Sequence, residues 1–348
     1  MRIALVAPIA LPVPPPGYGG TERVVALLAH EFQRQGHEVI VFAAAGSDPG
    51  LPLRGAGRAA LPERPGHAYA VAEAAHVSHA YRHAGDCDIV HDHTKQRGLQ
   101  LARLAAVPVV STLHNPVTPS REVAYRAVPD HPWVAISHAQ ARQTPWLRLA
   151  GVVHHGVAEA DFGLAPVKDD FLLVLGRISP EKGVHLAIDV ARRSGRPLII
   201  AGPVAADSEA YYREMVAPAI DGSQIQHVGP VGGLLKQSLL RRAAALLFPI
   251  LWDEPFGLVM LEALACGTPV LALSRGAVPE VLTDPGVGRA VGQPAELLDA
   301  LAEVLRCRPE ACQAHVRRHF GVEQMARGYM AVYRSLLAAR PIAGRTRD

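Results

Sequence analysis

The sequence predicts an α/β protein built from two doubly wound, Rossmann-like domains with a cleft between them. Short apolar runs alternate with helical patterns along the chain, which is typical of parallel sheets covered by helices. The pattern stops at a polar, glycine-containing segment, residues 154–161, and then restarts. The chain of 348 residues is also longer than one hydrophobic core usually supports. Such sheets bind ligands at the carboxyl ends of their strands, so we expect the functional site there.

The composition excludes several classes of protein. Hydrophobic residues make up 49% of the chain and charged residues 19%, so it can bury a large core and is not a disordered protein. The net charge is only +3 and no run of Lys and Arg occurs, so we expect no nucleic-acid partner. The four cysteines, Cys87, Cys266, Cys307 and Cys312, lack the spacing of a disulfide framework, which favours a cytoplasmic location.

The first domain is predicted over residues 1–160. Its apolar start is interpreted as a buried strand and not a signal peptide, because prolines interrupt it. No apolar segment is long enough to cross a bilayer, so we expect no stable membrane insertion. The predicted strands are Ile3–Ala7, Glu38–Ala43, Asp88–His91, Pro108–Leu113 and Trp133–Ile136, and the helices include Thr21–Gln35 and Tyr69–His83.

The second domain is predicted over residues 161–320, and a terminal helical segment over residues 321–348. The predicted strands are Phe171–Leu175, Pro197–Ala201, Ile225–Val228, Ala245–Pro249 and Pro269–Ala272. The predicted helices are Val184–Ser194, Ser208–Ile220, Leu235–Ala244, Leu258–Cys266, Pro294–Arg306 and, in the tail, Val322–Leu337.

A glycine-rich loop follows the first strand and leads into the first helix. Gly19 and Gly20 allow close backbone approach and leave N–H groups that can contact an anion. The same glycines are equally compatible with a structural turn. The loop is not a Walker loop, because no G-K-[ST] follows it.

Two cations flank the loop after the first strand of the second domain. Arg177 leaves that strand and Lys182 precedes a helix, so both side chains can reach one edge of the sheet. A planar guanidinium and a compact ammonium together suit the two phosphates of a diphosphate. A solvated surface loop is the alternative.

Histidines occur at two strand ends of the first domain. His114 could donate to a sugar hydroxyl or act on developing charge, whereas a structural histidine is the alternative. His91 and His93 would share one face of a strand, which raises the question of a metal pair. No third ligand of suitable spacing is evident, so we predict no metal site.

The most informative pattern runs from Glu254 to Glu262. Pro255 and Gly257 form a sharp turn that opens an apolar helix, and Glu262 lies inside this helix. A carboxylate there needs a partner, because burying an unpaired charge is strongly unfavourable. The N–H groups at the helix start can receive a phosphate or a sugar hydroxyl. The alternative is that both glutamates are ordinary helix-start and salt-bridge residues.

Together these segments resemble the family 4 glycosyltransferases, which are retaining enzymes of GT-B fold. The resemblance rests on Gly19-Gly20-Thr21-Glu22, on Gly176-Arg177 to Lys182-Gly183, and on Glu254 to Val270. It extends over essentially the whole chain, and the E-x7-E element is its most specific part. The chain resembles the compact bacterial members, which suggests an antibiotic pathway of the avilamycin type.

The resemblance implies a donor site in the second domain and an acceptor site in the first. Glu262 would hold the ribose hydroxyls of the nucleotide, and Glu254 would hold hydroxyls of the donor sugar. Backbone contacts are implied at Phe256, Gly257 and Leu258 for the sugar, and around Val228 to Val231 for the base.

The resemblance also implies the catalytic residues, which are His114, Glu254, Arg177 and Lys182. Arg177 and Lys182 would bind the diphosphate and stabilise it as it leaves. Gly19 and Gly20 would touch the same phosphates from the first domain, and His114 would lie beside the sugar. At the predicted hinge the family usually has Asn-Gly-Val, whereas this chain has His155-Gly-Val157, so a side-chain role at that position is in doubt.

The expected reaction is transfer of a sugar from a nucleotide diphosphate sugar, with UDP favoured, to a hydroxyl of a small molecule or oligosaccharide. No D-x-D motif occurs in a loop predicted to face phosphate, so we expect no metal requirement and no permanently bound cofactor. Retention is compatible with same-face displacement, in which the leaving phosphate accepts the acceptor's proton. Double displacement through Glu254 stays open.

Two other classes of function remain as alternatives. A GT-B epimerase or hydrolase would share the nucleotide site without an acceptor pocket, and a non-catalytic binder would share it without chemistry.

In GT-B relatives the terminal helix crosses back to the first domain, so its removal at Arg318 is expected to uncouple domain closure. The oligomeric state is not predicted.

Overall fold

The computed structural model describes residues 1–17, 19–54, 67–165 and 167–339, and the side chains of residues 67, 96 and 97 are not among those described. The chain divides into two compact units. The first unit comprises residues 1–155 together with the chain from Val322 onward, and the second unit comprises residues 156–321. Among the described residues, no helix is both long and apolar enough to span a membrane.

Each unit contains a parallel sheet of six strands in its described residues. The first sheet consists of β1 (Arg2–Val6), β2 (Glu38–Phe42), β3 (Ile89–Asp92), β4 (Val109–Leu113), β5 (Trp133–Ala135) and β6 (Leu149–Val152), in the order β2-β1-β3-β4-β5-β6. The second consists of β7 (Leu172–Leu175), β8 (Leu198–Ala201), β9 (Ile225–His227), β10 (Ala245–Phe248), β11 (Val270–Leu273) and β12 (Gly288–Val291), in the order β12-β11-β10-β7-β8-β9. These sheets confirm the predicted α/β class with two Rossmann-like domains.

The α-helices alternate with the strands in both units. They are α1 (Gly20–Arg34), α2 (His67–His83), α3 (Leu99–Ala102), α4 (Pro119–Arg126), α5 (His138–Gln143), α6 (Val184–Ser194), α7 (Glu209–Tyr211), α8 (Gly233–Arg242), α9 (Leu258–Ala265), α10 (Val278–Val281), α11 (Leu297–Val304), α12 (Pro309–His319) and α13 (Val322–Ala338). Helix α13 belongs to the first unit and packs on α1.

The strands of both sheets are apolar along their length because helices cover both faces. In β1, residues 3–6 have no exposed surface, and in β10 the exposed fraction does not exceed 6%. Helix α13 completes the first core with Tyr329 and Tyr333, both 0% exposed. Its close approach to β6 depends on glycine, because a Cβ at Gly151 would lie 2.9 Å from Cγ2 of Val332.

Several parts of the fold differ from the sequence prediction. Strands β6 and β12, helix α12 and the short helices α3, α4, α5 and α10 were not predicted. The helix predicted over Ser208–Ile220 is broken into α7, a π-helical turn at Tyr212–Val216 and a 3₁₀ turn at Ala217–Ala219. Pro218 follows the π-helical turn and cannot continue an α-helical hydrogen-bond ladder, which explains the break.

Candidate functional site

The second unit brings charged side chains together at the carboxyl ends of β7 and β10. The loop after β7 carries Arg177 and Lys182, and the loop after β10 carries Glu254. The Leu251 amide donates to the Glu181 carbonyl at 2.8 Å, which joins the two loops. Because β7 and β10 are parallel neighbours, their loops emerge at the same edge of the sheet.

Lys182 and Glu254 form a short ion pair. Nζ of Lys182 donates to Oε2 of Glu254 at 2.6 Å, and Nε1 of Trp252 donates to the same oxygen at 3.0 Å. The ammonium also lies 5.1 Å from the centroid of the Trp252 ring, within cation–π range. Both hydrogen bonds use Oε2, and no described side chain or backbone group donates to Oε1. This oxygen can therefore accept a hydrogen bond from a bound hydroxyl.

Glycines let the backbone approach closely around this ion pair. Gly183 has φ 64°, and a Cβ there would lie 2.0 Å from the Pro249 carbonyl oxygen. Gly276 has φ 54°, and a Cβ there would lie 2.3 Å from the Glu254 carbonyl oxygen. The next amide, that of Ala277, donates to this same carbonyl at 2.9 Å. The segments that carry Lys182 and Glu254 are thus each fixed by a contact that only glycine permits.

Glu262 forms the second ion pair, with a lysine that the sequence analysis missed. Glu262 lies on α9 and is 4% exposed. Nζ of Lys236, on α8, lies 2.6 Å from Oε2 and 2.7 Å from Oε1 of Glu262. One signal could have found this residue, because lysine is scarce in this arginine-rich sequence. The lysines are Lys95, Lys168, Lys182 and Lys236.

Lys168 holds the ends of the two helices that carry this second pair. Its Nζ donates to the carbonyls of Arg241 at 2.7 Å and Cys266 at 3.1 Å, and to Oγ1 of Thr268 at 2.6 Å. Arg241 lies in the last turn of α8, and Cys266 follows α9. Burial lowers the pKa of Lys168 to about 8, so the side chain is mostly protonated at neutral pH. A cation at two helix carboxyl ends also complements their dipoles.

The start of α9 presents the backbone of Phe256, Gly257 and Leu258. Gly257 precedes the helix with φ 88°, and a Cβ there would lie 2.8 Å from Cε of Met260. The Phe256 side chain is 2% exposed and packs against Phe320, with ring centroids 6.2 Å apart. Phe256 is therefore a core residue whose contribution to a ligand would come from its backbone, as the sequence analysis expected.

Arg177, Val228 and Val231 also lie at the carboxyl edge of the second sheet. Nη2 of Arg177 is 3.7 Å from Oε1 of Glu181, and the arginine side chain is 42% exposed. Val228 follows β9 and is 43% exposed, and its amide donates to the Ile200 carbonyl at 3.0 Å. Its backbone contact with a base would therefore use the carbonyl group.

In the first unit, Gly19 and Gly20 have different structural settings. Gly19 has φ 150°, and a Cβ there would lie 2.7 Å from Cγ of Pro15 and 2.8 Å from Cδ1 of Leu11. Gly20 is the first residue of α1. The loop packing alone requires glycine at position 19, whereas Gly20 opens a helix whose first amides lack helical partners.

His114 follows β4 and is in contact with two other histidines. Its Nε2 lies 2.8 Å from Nδ1 of His93, and its ring stacks on that of His155 at 5.2 Å between centroids. Burial, and then the charges of His93, His155 and Lys95, lower the pKa of His114 well below its ordinary value. The imidazole is therefore neutral at physiological pH.

In the segment His91-Asp92-His93, His91 has hydrogen-bond partners within the first unit on both ring nitrogens. Nε2 of His91 is hydrogen-bonded to Oγ1 of Thr112 at 2.7 Å, and Nδ1 to the hydroxyl of Tyr333 at 2.6 Å. Both ring nitrogens thus have protein partners, which leaves none for a metal. The rings of His91 and His93 lie close together, with centroids 3.9 Å apart and an interplanar angle of 42°.

Comparisons with known proteins match most of the chain. Residues 18–154 match the model of "Glycosyltransferase Family 4", and residues 159–318 match the model of "Glycosyl transferases group 1". The phosphatidyl-myo-inositol mannosyltransferase of Mycolicibacterium smegmatis is 30% identical over 334 residues, which cover 88% of this chain and 84% of that protein.

Two further proteins are similar over almost their whole length. The phosphatidyl-myo-inositol mannosyltransferase of Mycobacterium leprae is 29% identical over 372 residues and covers 97% of each chain. The crystal structure of AviGT4, a glycosyltransferase involved in avilamycin A biosynthesis, has a TM-score of 0.76 and 29% identity. That match covers 98% of this chain and 99% of AviGT4.

Proposed function

Because this chain belongs to glycosyltransferase family 4 and has the GT-B fold, we propose that it transfers a sugar, with retention, from a nucleotide diphosphate sugar to a hydroxyl acceptor. The supporting observation is the pair of carboxylate–ammonium contacts in the second unit, Glu254 with Lys182 and Glu262 with Lys236. Carboxylates suit sugar and ribose hydroxyls, whereas ammonium groups suit phosphate. Both kinds of charged group lie in the segments that follow β7, β9 and β10, and the carboxyl ends of such strands are where these sheets bind ligands.

In the proposed complex, Glu262 accepts the ribose hydroxyls and Glu254 accepts a hydroxyl of the donor sugar through Oε1. Lys182 keeps two N–H donors beyond the one used by Glu254, and these can bind the diphosphate. Arg177 supplies a second cation, and its half-exposed side chain can turn towards the phosphates. Backbone amides of Phe256, Gly257 and Leu258 add donors at the start of α9.

The proposed chemistry is departure of the diphosphate with attack of the acceptor on the same face of the sugar. The positive groups Lys182 and Arg177 stabilise charge that develops on the leaving phosphate. The leaving phosphate accepts the acceptor's proton, the new glycosidic bond forms, and the bond from the anomeric carbon to phosphate breaks. Glu254 is hydrogen-bonded through Oε2 and would be the nucleophile in the competing double displacement.

We propose that the reaction needs no added metal. The one D-x-D sequence of the chain, Asp86 to Asp88, precedes β3 at its amino end. Asp86 forms ion pairs with Arg2 at 2.8 Å and Arg54 at 3.0 Å, both within the first unit. Turnover that is unchanged by EDTA would support metal independence, and loss of turnover restored by Mg²⁺ or Mn²⁺ would contradict it.

The donor is tested by calorimetric titration with UDP, GDP, ADP and dTDP and their sugars. We expect a UDP-sugar to bind, and the mannosyl relatives make GDP-mannose the second donor to test. Glu262→Gln should weaken binding of the preferred nucleotide about 10-fold or more, because charge-assisted hydrogen bonds contribute roughly 1.5–3 kcal/mol. Glu303→Gln is the matched control, since this carboxylate pairs with Arg289 in the same unit and is 54% exposed.

The acceptor is tested separately with the donor that binds. We propose a small-molecule or oligosaccharide hydroxyl, and the likeness to AviGT4 supports an antibiotic precursor. The likeness to the two mannosyltransferases supports an inositol-containing acceptor, so the panel includes myo-inositol, its phosphates and phosphatidylinositol in vesicles. Transfer to vesicles alone would contradict the proposal of a small-molecule acceptor.

A reaction without acceptor distinguishes the rival enzyme class. Incubation with the bound nucleotide sugar alone should leave it largely intact if the protein is a transferase. Rapid epimerisation or stoichiometric hydrolysis would instead favour an epimerase or hydrolase. Binding without any conversion, over the full acceptor panel, would favour a non-catalytic binder.

A further inference from the structure

We infer that His93 is a positioning residue for His114: its Nδ1–H donates to Nε2 of His114, so that His114 carries its own proton on Nδ1 and presents it to the substrate. The inference deepens the proposed function and rests on it, because it assumes that His114 contacts the donor sugar. It assigns a role to His93, which the sequence pattern alone raised only as a possible metal ligand.

The contact between the two rings is a hydrogen bond that contains a single proton. Nδ1 of His93 lies 2.8 Å from Nε2 of His114, which is hydrogen-bond distance for two ring nitrogens. Burial lowers the pKa of both imidazoles well below the ordinary value of 6.5, so each ring is neutral and has a single N–H. One nitrogen of the pair must therefore donate and the other accept. The tautomer of His93 then determines that of His114.

The surroundings of the other nitrogen of His93 indicate which ring donates. Nε2 of His93 is buried and has no hydrogen-bond partner among the described residues. If Nδ1 of His93 accepted, the ring proton would lie on this Nε2, as a buried N–H without an acceptor. Buried N–H groups without partners are rare in folded proteins, more so than acceptors without partners. The favoured arrangement therefore places the proton of His93 on Nδ1.

Neighbouring side chains hold both rings in place. The His93 ring packs against His91 with centroids 3.9 Å apart and an interplanar angle of 42°, and His91 is in turn hydrogen-bonded to Thr112 and Tyr333. The His114 ring stacks on His155 with an interplanar angle of 19°. The two rings thus lie in one group of packed histidines, formed by His91 on β3, His93 directly after it, His114 directly after β4, and His155. A fixed ring is what a directed hydrogen bond requires.

Nδ1 of His114 is the ring nitrogen that remains for contact with the substrate. Nδ1 of His114 makes no hydrogen bond to any part of the chain that the structure describes, and the side chain is only half-buried. With Nε2 occupied as an acceptor, Nδ1–H becomes the donor that can reach a sugar hydroxyl or an oxygen on which charge develops. A ring with the opposite tautomer would offer a lone pair at the same place.

The direct test is the tautomer itself. Long-range ¹H–¹⁵N correlation spectra of histidine-labelled, full-length protein distinguish Nδ1–H from Nε2–H rings, and His114→Gln assigns the signal. We expect the Nδ1–H tautomer for His114 in the unmodified protein at pH 7.5. An Nε2–H tautomer would overturn the inference, and this measurement needs neither a substrate nor a variant of His93.

The kinetic test compares His93→Phe, His93→Asn and a control. His93→Phe removes the donor, so kcat should fall about 10- to 100-fold, as loss of an orienting partner commonly does, while the donor KM changes by less than about 3-fold. His93→Asn places an amide N–H close to the position of Nδ1 and should recover most of kcat. His131→Phe is the control, because His131 is also buried in the first unit but bonds Ser111 and not His114.

The outcomes separate this inference from the proposed function. Nucleotide binding to the second unit should be the same in all three variants, so failure of the unmodified protein to bind any nucleotide sugar would count against the function alone. A folded His93→Phe protein with unchanged kcat, or a His93→Asn protein as slow as His93→Phe, would overturn the positioning role. If His93→Phe does not fold, the tautomer spectrum of the unmodified protein still decides.

Discussion

At the scale of residues, the two lysines of the proposed donor site, Lys182 and Lys236, each have a carboxylate partner. Lys182 donates to Oε2 of Glu254, and Lys236 contacts both oxygens of Glu262. These pairs orient the carboxylates and give each one a charge partner, because both glutamates are largely buried and a lone buried charge would be costly. From the sequence alone, ion pairing and ligand binding are alternatives for these glutamates. In the structure, Oε1 of Glu254 is not used by the ion pair, so pairing with Lys182 leaves one acceptor for a ligand hydroxyl.

Lys182 and Arg177 provide the first prediction. Lys182→Ala or Arg177→Ala should lower kcat about 100-fold or more, because in the proposed reaction each removes a cation that stabilises the leaving diphosphate. The measurement is kcat at saturating donor, with thermal unfolding to confirm that each variant is folded. Arg193→Ala is the control, since Arg193 is 53% exposed and pairs with Asp189 on α6. Near-normal turnover in both variants would contradict the assignment.

The two carboxylates and the cations of the β7 loop could be predicted from sequence because their spacing along the chain fixes them at a strand end or a helix start. Lys236 could not be predicted in this way, because it meets Glu262 only through the packing of α8 on α9. The contact of His93 with His114 is of the same kind, since it depends on β3 and β4 being neighbours. Pairings between elements need the sheet order, which a single sequence does not give.

At the scale of elements, Gly183 fixes the short 3₁₀ turn that carries Lys182, and this gives the second prediction. Gly183→Ala should destabilise the protein by more than Gly195→Ala does. Both positions have positive φ, 64° and 70°, so both variants lose roughly 1–2 kcal/mol of backbone free energy. Only at position 183 would the new Cβ lie 2.0 Å from a carbonyl oxygen, whereas space around Gly195 is open.

Urea unfolding of the two glycine variants measures this difference. Gly183→Ala should lose about 1–3 kcal/mol beyond the loss at position 195, since the Pro249 segment must move. It should also lower kcat, because Lys182 is the preceding residue, whereas Gly195→Ala should keep normal turnover. Equal losses of stability in the two variants would show that the loop after β10 can move away from the new Cβ without a loss of free energy.

The strands that sequence patterns did not reveal have a shared physical reason. Strands β6 and β12 each form an edge of their sheet, and each contains a glycine at a close contact. A Cβ at Gly151 would lie 2.9 Å from Val332, and one at Gly288 would lie 2.2 Å from the Val270 carbonyl oxygen. Glycine is unfavourable in a strand considered alone, so these segments resemble loops in sequence. The central strands were predicted because their burial on both faces requires continuous apolar runs.

At the scale of the whole molecule, the buried histidines are concentrated in the first unit. Burial lowers the pKa of His76, His91, His93, His114, His131 and His155. For His76 and His131 the folded-state pKa is about 4, against an ordinary value of 6.5. Between these values the unfolded chain binds protons that the folded unit does not. Stability is therefore lost as the pH falls from about 6.5 towards 4.

This gives the third prediction, which is that the first unit becomes sensitive to mild acid. One histidine with a folded pKa of about 4 should lower the free energy of unfolding by about 2 kcal/mol between pH 7 and pH 5. Asp92 acts in the opposite direction, because burial raises its pKa to about 6. As the pH falls, the folded protein therefore binds this proton before the unfolded chain does, which stabilises the fold. A single carboxyl group offsets only part of the effect of several imidazoles.

Urea unfolding at pH 7 and pH 5 in a Trp252→Phe background measures this, because the remaining tryptophans, Trp133 and Trp146, both lie in the first unit. His76→Phe should reduce the difference between the two pH values by about 2 kcal/mol, whatever its own effect on stability. His185→Phe, in the second unit, should leave that difference unchanged. A first unit equally stable at both pH values would contradict the prediction.

The last prediction concerns helix α13, which follows the second unit in sequence but belongs to the first. Truncation at Arg318 would remove Phe320 as well, and Phe320 is a second-unit residue that packs on Phe256 and accepts a hydrogen bond from the Val157 amide at 3.0 Å. A chain ending at Gly321 removes the helix and keeps those contacts. It takes away Tyr329 and Tyr333, which are fully buried in the first unit.

We expect this shorter chain to lose at least about 3 kcal/mol of stability in the first unit alone, because removing even one large buried aromatic side chain costs that much. Hydrogen exchange of peptides from β3 and β4 should accelerate, since His91 and Thr112 lose their tyrosine partners. Peptides from β7 and β10 should keep their protection, and nucleotide should still bind with the affinity of a control chain that ends at Ala339. Unchanged exchange in β3 and β4 would mean that α13 contributes no stability there. Loss of nucleotide binding would mean that the second unit depends on the helix for its own fold.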